Sequence, residues 1–263
     1  MVSVGQLVGM ILAIVVPVMI QIVLFLHAKK ELKVKGLPVA ACYGLLGYLW
    51  EAWIYVMAYG WVGAMMMQNT WFDSGFGIVV KQMIIALVYA LLTTGGLCWA
   101  VYLSNMREPL VERGPAVGIG FGLSYAVWNY VLVYGAPLII GFRMRFGGYE
   151  GTQEMQDKVL SLSVENMYLF ILDTVIFSLI VMATTLLMSN HQQNGRPLYM
   201  FLIPFVSQFM IKFLDTLLPT LMPEIVSSVI YHVLMGTAAL WSLWVVLNYL
   251  KTRKINHLLK STQ

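Results

Sequence analysis

Residues 5–27 read GQLVGMILAIVVPVMIQIVLFLH, a run without one Asp, Glu, Lys or Arg. At about 1.5 Å of rise per residue such a helix is long enough to cross the roughly 30 Å hydrocarbon core of a bilayer. Six further runs of predominantly apolar residues follow, at 37–67, 77–104, 115–141, 164–188, 198–218 and 224–250. Composition agrees: 60% of the 263 residues are hydrophobic and 11% charged, against about 45–50% and about 25% in soluble domains. The runs predict an all-α polytopic membrane protein, a bundle of seven transmembrane helices. Too little chain lies between them for a second unit, so 1–263 is expected to be a single integral membrane domain. The first run has no basic start and no small-residue cleavage site, so it is expected to stay as an anchor.

Basic residues set the expected orientation. The connections 28–36, 105–114 and 189–197 and the tail after 250 carry eleven Lys and Arg, among them Lys29, Lys30, Lys33, Lys35, Arg107, Arg113, Arg196 and Lys251. The other side carries three: Arg143, Arg145 and Lys158. The positive-inside bias therefore puts the N-terminus outside and the C-terminus in the cytoplasm. Because these basic residues flank helix ends, the net charge of +4 points to lipid headgroups and not to nucleic acid. Cys42 and Cys98 fall inside apolar runs without metal-type spacing, which argues against a disulfide framework or a zinc ribbon.

Five of the six connections are short, as in a compact bundle of antiparallel neighbours. The long one, 142–163, holds a Gly-Gly breaker and a polar stretch that reads either as a solvated loop or as a short interfacial helix capping the outer face. Pro204 and Pro219 are expected to bend the sixth run. The glycines 114, 118, 120 and 122 in the fourth run predict close helix packing, since no strand precedes them as a dinucleotide loop requires. Met65, Met66 and Met67 suit adaptable apolar filling.

A charge at bilayer depth is costly and normally faces the bundle interior with a partner. Glu51, Asp173, Lys212, Asp215 and His232 are such residues. Counted from the outer helix ends, Asp173 and His232 lie roughly 12 Å deep and Lys212 roughly 9 Å deep, so an Asp173–Lys212 ion pair is expected. Zinc wants three or four His, Cys or carboxylate ligands; a site of Asp173, His232 and Glu51 is conceivable, but Lys212 nearby would repel the cation. Ser124 and Ser207 have no His or Lys at i±4, so no catalytic residue and no cofactor are expected.

The helix order and the opening MVSVGQLVGMILAIVVPVMIQIVLFLHAKK resemble the YhfC family of bacterial intramembrane metalloproteases, relatives of the CAAX-processing and bacteriocin-processing proteases. The family's motifs are a Glu-Glu pair with a following Arg, a Gly-His-Gly segment leading to Glu, a Glu-Arg start with a downstream His, and a His followed by Asp. Here TTGGLCWAVYLS (93–104) puts Leu97 and Cys98 at the paired acids and Val101 at the Arg, while GIGFGLSYAVWNY (118–130) puts Phe121 at the His and Tyr125 at the Glu. In ENMYLFILDTVIF (165–177) Glu165 is kept, Asn166 replaces Arg and Asp173 stands at the His; in FVSQFMIKFLD (205–215) Gln208 and Lys212 stand at the His and Asp.

The resemblance implies the family's fold without its metal or its activity, with an Asp173–Lys212 salt bridge standing in for the cation. The expected function is that of a catalytically inactive, protease-like scaffold in the bacterial plasma membrane. Its cavity, among helices 3 to 6, would be lined by Phe121, Tyr125, Asn129, Asp173, Gln208 and Lys212, with Glu51, Asp215 and His232 as additional polar residues and Trp128 and Trp99 as packing. The partner would be a hydrophobic peptide, a lipid or another membrane protein's helix. The alternatives are an active metalloprotease with a non-standard site and a transporter or channel component.

Overall fold

Long apolar runs make helices here because, in lipid, only a helix satisfies every backbone polar group within its own segment. The computed structural model describes residues 2–32, 34–73, 75–106, 110–148 and 151–261; Lys33 and Arg107 lie outside them. Its helices are α1 (Val4–Leu32), α2 (Leu37–Met67), α3 (Phe76–Asn105), α4 (Gly114–Ala126), α5 (Leu132–Phe146), α6 (Gln153–Leu160), α7 (Val164–Gln193), α8 (Pro197–Leu221) and α9 (Glu224–Ser261). No strand occurs among the described residues. Seven segments are long and apolar enough to cross a membrane, with α4 and α5 forming one of them.

The helix ends follow local chemistry. Gly36 takes φ 84° to turn the chain into α2, whose second residue is Pro38, where the fixed ring suits a first helical turn. The Ser163 hydroxyl accepts from the Asn166 amide and caps α7. Pro204 and Pro219 both sit inside α8. The polar half of the long connection forms α6, whose Val159 is buried under a hydrophobic cluster with Leu7, Met10 and Tyr134. Among the described residues of that connection, Gly147 at φ 76° makes the turn.

Small residues bring the helices together. A Cβ on Gly120 would stand 1.9 Å from the Ala41 carbonyl oxygen, and one on Gly44 would stand 2.0 Å from that of Val117. Thus α2 and α4 meet backbone to backbone. On the other side of α4, a Cβ on Gly118 would meet the Met182 Cα of α7 at 2.6 Å. The close packing expected of these glycines is present. α7 is central, touching α1, α4, α8 and α9. Large apolar side chains such as Trp61, Leu240 and Ile225 point away from the bundle, the inverse of a soluble surface and a fit to lipid. Met66 is buried beside exposed Met65; the Met67 side chain lies outside the described set.

Polar contacts fix which ends share a face. Arg145 donates to the Val2 carbonyl at 2.9 Å, and the Gln6 amide donates to the Leu160 and Leu162 carbonyls at 3.1 Å. These define the N-terminal face. At the opposite face Arg113 donates to the Ser104 carbonyl at 2.9 Å and Asn105 to the Gln192 side chain at 2.9 Å.

Candidate ligand cavity

The fourth spanning segment is not one continuous α-helix, as the sequence suggests, but changes to a π-helical turn at Val127–Val131. Such turns are rare and recur at functional sites. This one carries Trp128 and Asn129 at the edge of a cavity of about 400 Å³. The Asn129 amide donates to the Tyr48 hydroxyl and to the Tyr125 carbonyl, each at 3.0 Å. It thereby ties the π turn both to α2 and to the preceding turn of α4.

The cavity opens among α2, α3, α4, α7, α8 and α9, a wider set than the third to sixth spans. Its floor is aromatic and closed. Tyr125 stacks on Phe177 with centroids 4.1 Å apart, and Tyr48 meets Phe121 edge-on at 5.2 Å. Below them Leu97, Val101, Val117 and Val181 are wholly buried. These residues fill the half of the bundle toward the opposite face, so the cavity ends near mid-membrane.

Of the six cavity residues read from the sequence, Tyr125, Asn129, Asp173 and Lys212 line it. Phe121 does not: it is fully buried in the core cluster beneath the floor, because the glycines on either side of it let α2 and α7 close over it. Gln208 does not line it either. It is fully buried, with neither amide atom hydrogen-bonded among the described residues. Glu51 and Asp215 are on the cavity wall. His232 borders a smaller recess together with Asp173. Trp128 lines the cavity, contrary to its expected packing role, while Trp99 faces outward. Sequence reasoning missed Tyr48, Tyr55, Tyr89 and Tyr231. The spacing of Tyr48, Glu51 and Tyr55, at i−3, i and i+4 on one face of α2, was the signal that could have found two of them.

The expected Asp173–Lys212 ion pair is not formed. Asp173 Oδ1 lies 3.2 Å from His232 Nε2, and Lys212 Nζ lies 2.7 Å from Asp215 Oδ2. Depth allowed both pairings, but helical rotation decided between them: Lys212 and Asp215 are three residues apart on α8, so they share a face. Lys212 also sits 5.8 Å from the centre of the Tyr89 ring. An Asp173–Lys212 bridge therefore does not occupy the place of a metal.

His232 invites a hydrolytic reading, since Ser228 Oγ lies 3.4 Å from its Nδ1. The Ser228 carbonyl, however, is closer, at 2.7 Å from the same nitrogen. Nδ1 must donate to it, so the nitrogen beside the hydroxyl cannot take its proton, and Nε2 faces Asp173 instead. Ser228→Ala is therefore expected to change thermal stability by no more than about 0.5 kcal/mol, as at an unremarkable surface position, measured by scanning fluorimetry in detergent.

The metal implied by the family resemblance does not fit these residues. Phe121 offers no donor atom at all, and among the described residues no three of His, Cys, Asp and Glu stand close enough together to hold an ion. No protein family, curated protein or solved structure matches the chain. The geometry itself can enclose a small amphipathic molecule: apolar and aromatic walls, with acids, one amine and hydroxyls placed to orient it.

Proposed function

We propose that this chain is a multi-pass protein of the bacterial plasma membrane, N-terminus outside, that binds a small amphipathic molecule or a lipid segment in its central cavity and has no protease chemistry of its own. The observation that carries this reading is a pocket of about 400 Å³ at bilayer depth, walled by tyrosines and floored by stacked aromatics. That volume is within the roughly 300–1,000 Å³ of small-molecule sites, and it is too small for a partner's transmembrane helix. The YhfC-like helix order fits a protease-like bundle put to a binding use.

One observation favours a transport role: Glu51, Asp173, Lys212 and Asp215 all line the same cavity. The closed aromatic floor, with Leu97, Val101 and Val117 buried beneath it, argues for a binding site in this conformation and against an open conduit.

Ala52→Trp tests the reading. Ala52 is on the cavity wall and nearly buried, so an indole there occupies ligand space. Native mass spectrometry of the protein released from mild detergent should show a bound small molecule in the wild type and lose at least about 90% of it in the variant, a loss of at least about 1.4 kcal/mol in affinity. Equal occupancy in both would remove the cavity from consideration.

A further inference from the structure

Each acid in the cavity but one has a basic neighbour. Asp215 has Lys212 and Asp173 has His232. Among the described residues Glu51 has none: it is 3% exposed, one carboxylate oxygen accepts from the Thr93 hydroxyl at 3.1 Å, and the other has no partner there. Measured along α2 it lies about 21 Å from one end and about 24 Å from the other, at the middle of the membrane. A carboxylate stranded there is strongly disfavoured.

The neighbours of Glu51 are suited to a cation. Tyr48 and Tyr55 flank it on the same face of α2, and Tyr89 of α3 meets Tyr55 edge-on with centroids 5.7 Å apart. Aromatic rings around a carboxylate attract organic cations through the negative face of each ring. The Lys212 ammonium already lies 5.8 Å from the centre of the Tyr89 ring, and Asp215 at 2.7 Å balances its charge, so Lys212 does not bar a second cation at Glu51.

We propose that the cavity takes a lipophilic organic cation whose positive centre sits at Glu51 among the rings of Tyr48, Tyr55 and Tyr89. The inference rests on the cavity being a binding site and adds the class of ligand. The apolar arms of the cation contact Ile176, Phe177 and Met235 on the cavity wall, and its charge supplies the counter-ion that Glu51 lacks. A quaternary centre needs no hydrogen-bond donor for this, because rings and carboxylate act on charge alone.

Tetraphenylphosphonium and tetraphenylborate, equal in shape and opposite in charge, distinguish the cases by equilibrium dialysis against the full chain in nanodiscs. The wild type should retain the phosphonium saturably and not the borate. Glu51→Gln should weaken retention at least about tenfold, as loss of one partner of a buried charge contact does. Tyr89→Leu should weaken it more than Tyr89→Phe, which keeps the ring face. If Glu51→Gln does not purify as a single species, Glu51→Asp and the two Tyr89 variants carry the test.

Equal retention of borate, or phosphonium retention indifferent to both Glu51 and Tyr89, overturns the inference. If a neutral molecule is then still held by the wild type and lost in Ala52→Trp, the cavity remains a binding site and only its cation preference falls. If Ala52→Trp changes retention of no probe, both fall.

Discussion

Gly120→Val is expected to leave almost no folded protein. The new Cβ would stand 1.9 Å from the Ala41 carbonyl oxygen and 2.9 Å from the Ala41 Cα, which are backbone atoms that cannot swing aside. Relief would require α2 and α4 to separate. That would also undo the reciprocal contact at Gly44 against Val117 and open the core around Phe121. The cost should exceed the roughly 1–3 kcal/mol of ordinary overpacking, because bilayer bundles lack a hydrophobic drive between helices and depend on close contact. Size-exclusion chromatography of a fluorescent fusion should show the monodisperse peak lost. Gly135→Ala is the control, since a Cβ there meets nothing within 4 Å; it should be tolerated or slightly stabilising, by about 0.5–1 kcal/mol of helix propensity. A monodisperse Gly120→Val protein would show that α2 and α4 do not meet as described.

The second large effect belongs to Asp173 and His232. With Nδ1 donating to the Ser228 carbonyl, the nitrogen facing Asp173 carries a hydrogen only if the ring is protonated or the carboxyl supplies the proton. The two groups face each other across 3.2 Å. His232→Leu strands the acid and Asp173→Leu strands the base. Breaking a buried pair by removing one partner costs about 3–5 kcal/mol. The side chains here are 16% and 27% exposed, so partial solvation brings the cost of each single variant below that range, to about 2–3 kcal/mol. The double variant should recover much of this, since two apolar side chains leave no uncompensated charge. Thermal unfolding in detergent gives the coupling directly. Additive losses would mean that the two groups do not interact.

The seven-helix architecture was legible because length and apolarity alone identify a spanning helix. Residues 5–27 need no neighbour to be recognised, and the glycines of α4 predicted contact by their size. Rotation about the helix axis was not legible in the same way. Asp173, Lys212 and His232 lie at similar depths, so depth admitted two pairings; the i,i+3 relation of Lys212 to Asp215 on one helix was the better guide. Phe121 was assigned to the cavity by its place in a motif, yet its flanking glycines draw two helices over it and bury it. Tyr48, Tyr55 and Tyr89 were missed because an aromatic in a spanning helix usually packs or faces lipid. The spacing of the first two around Glu51 gave a sharper signal than the motif positions did. The π turn at Val127–Val131 has no sequence signature that periodicity detects, although it sets the position of Asn129 and Trp128.

The central claim is that the cavity lies in the half of the bundle toward the N-terminal face and stops above Phe121. Cysteine accessibility measures this most directly. In a Cys42→Ala/Cys98→Ala background, single substitutions Ala52→Cys and Ile211→Cys on the cavity wall and Val117→Cys beneath the floor would be exposed to a membrane-impermeant thiol reagent in sealed vesicles of known orientation. The cavity predicts labelling of the first two from the N-terminal side alone, and none of the third. Failure of Ala52→Cys and Ile211→Cys to react from that side, or equal reaction of all three, would contradict it.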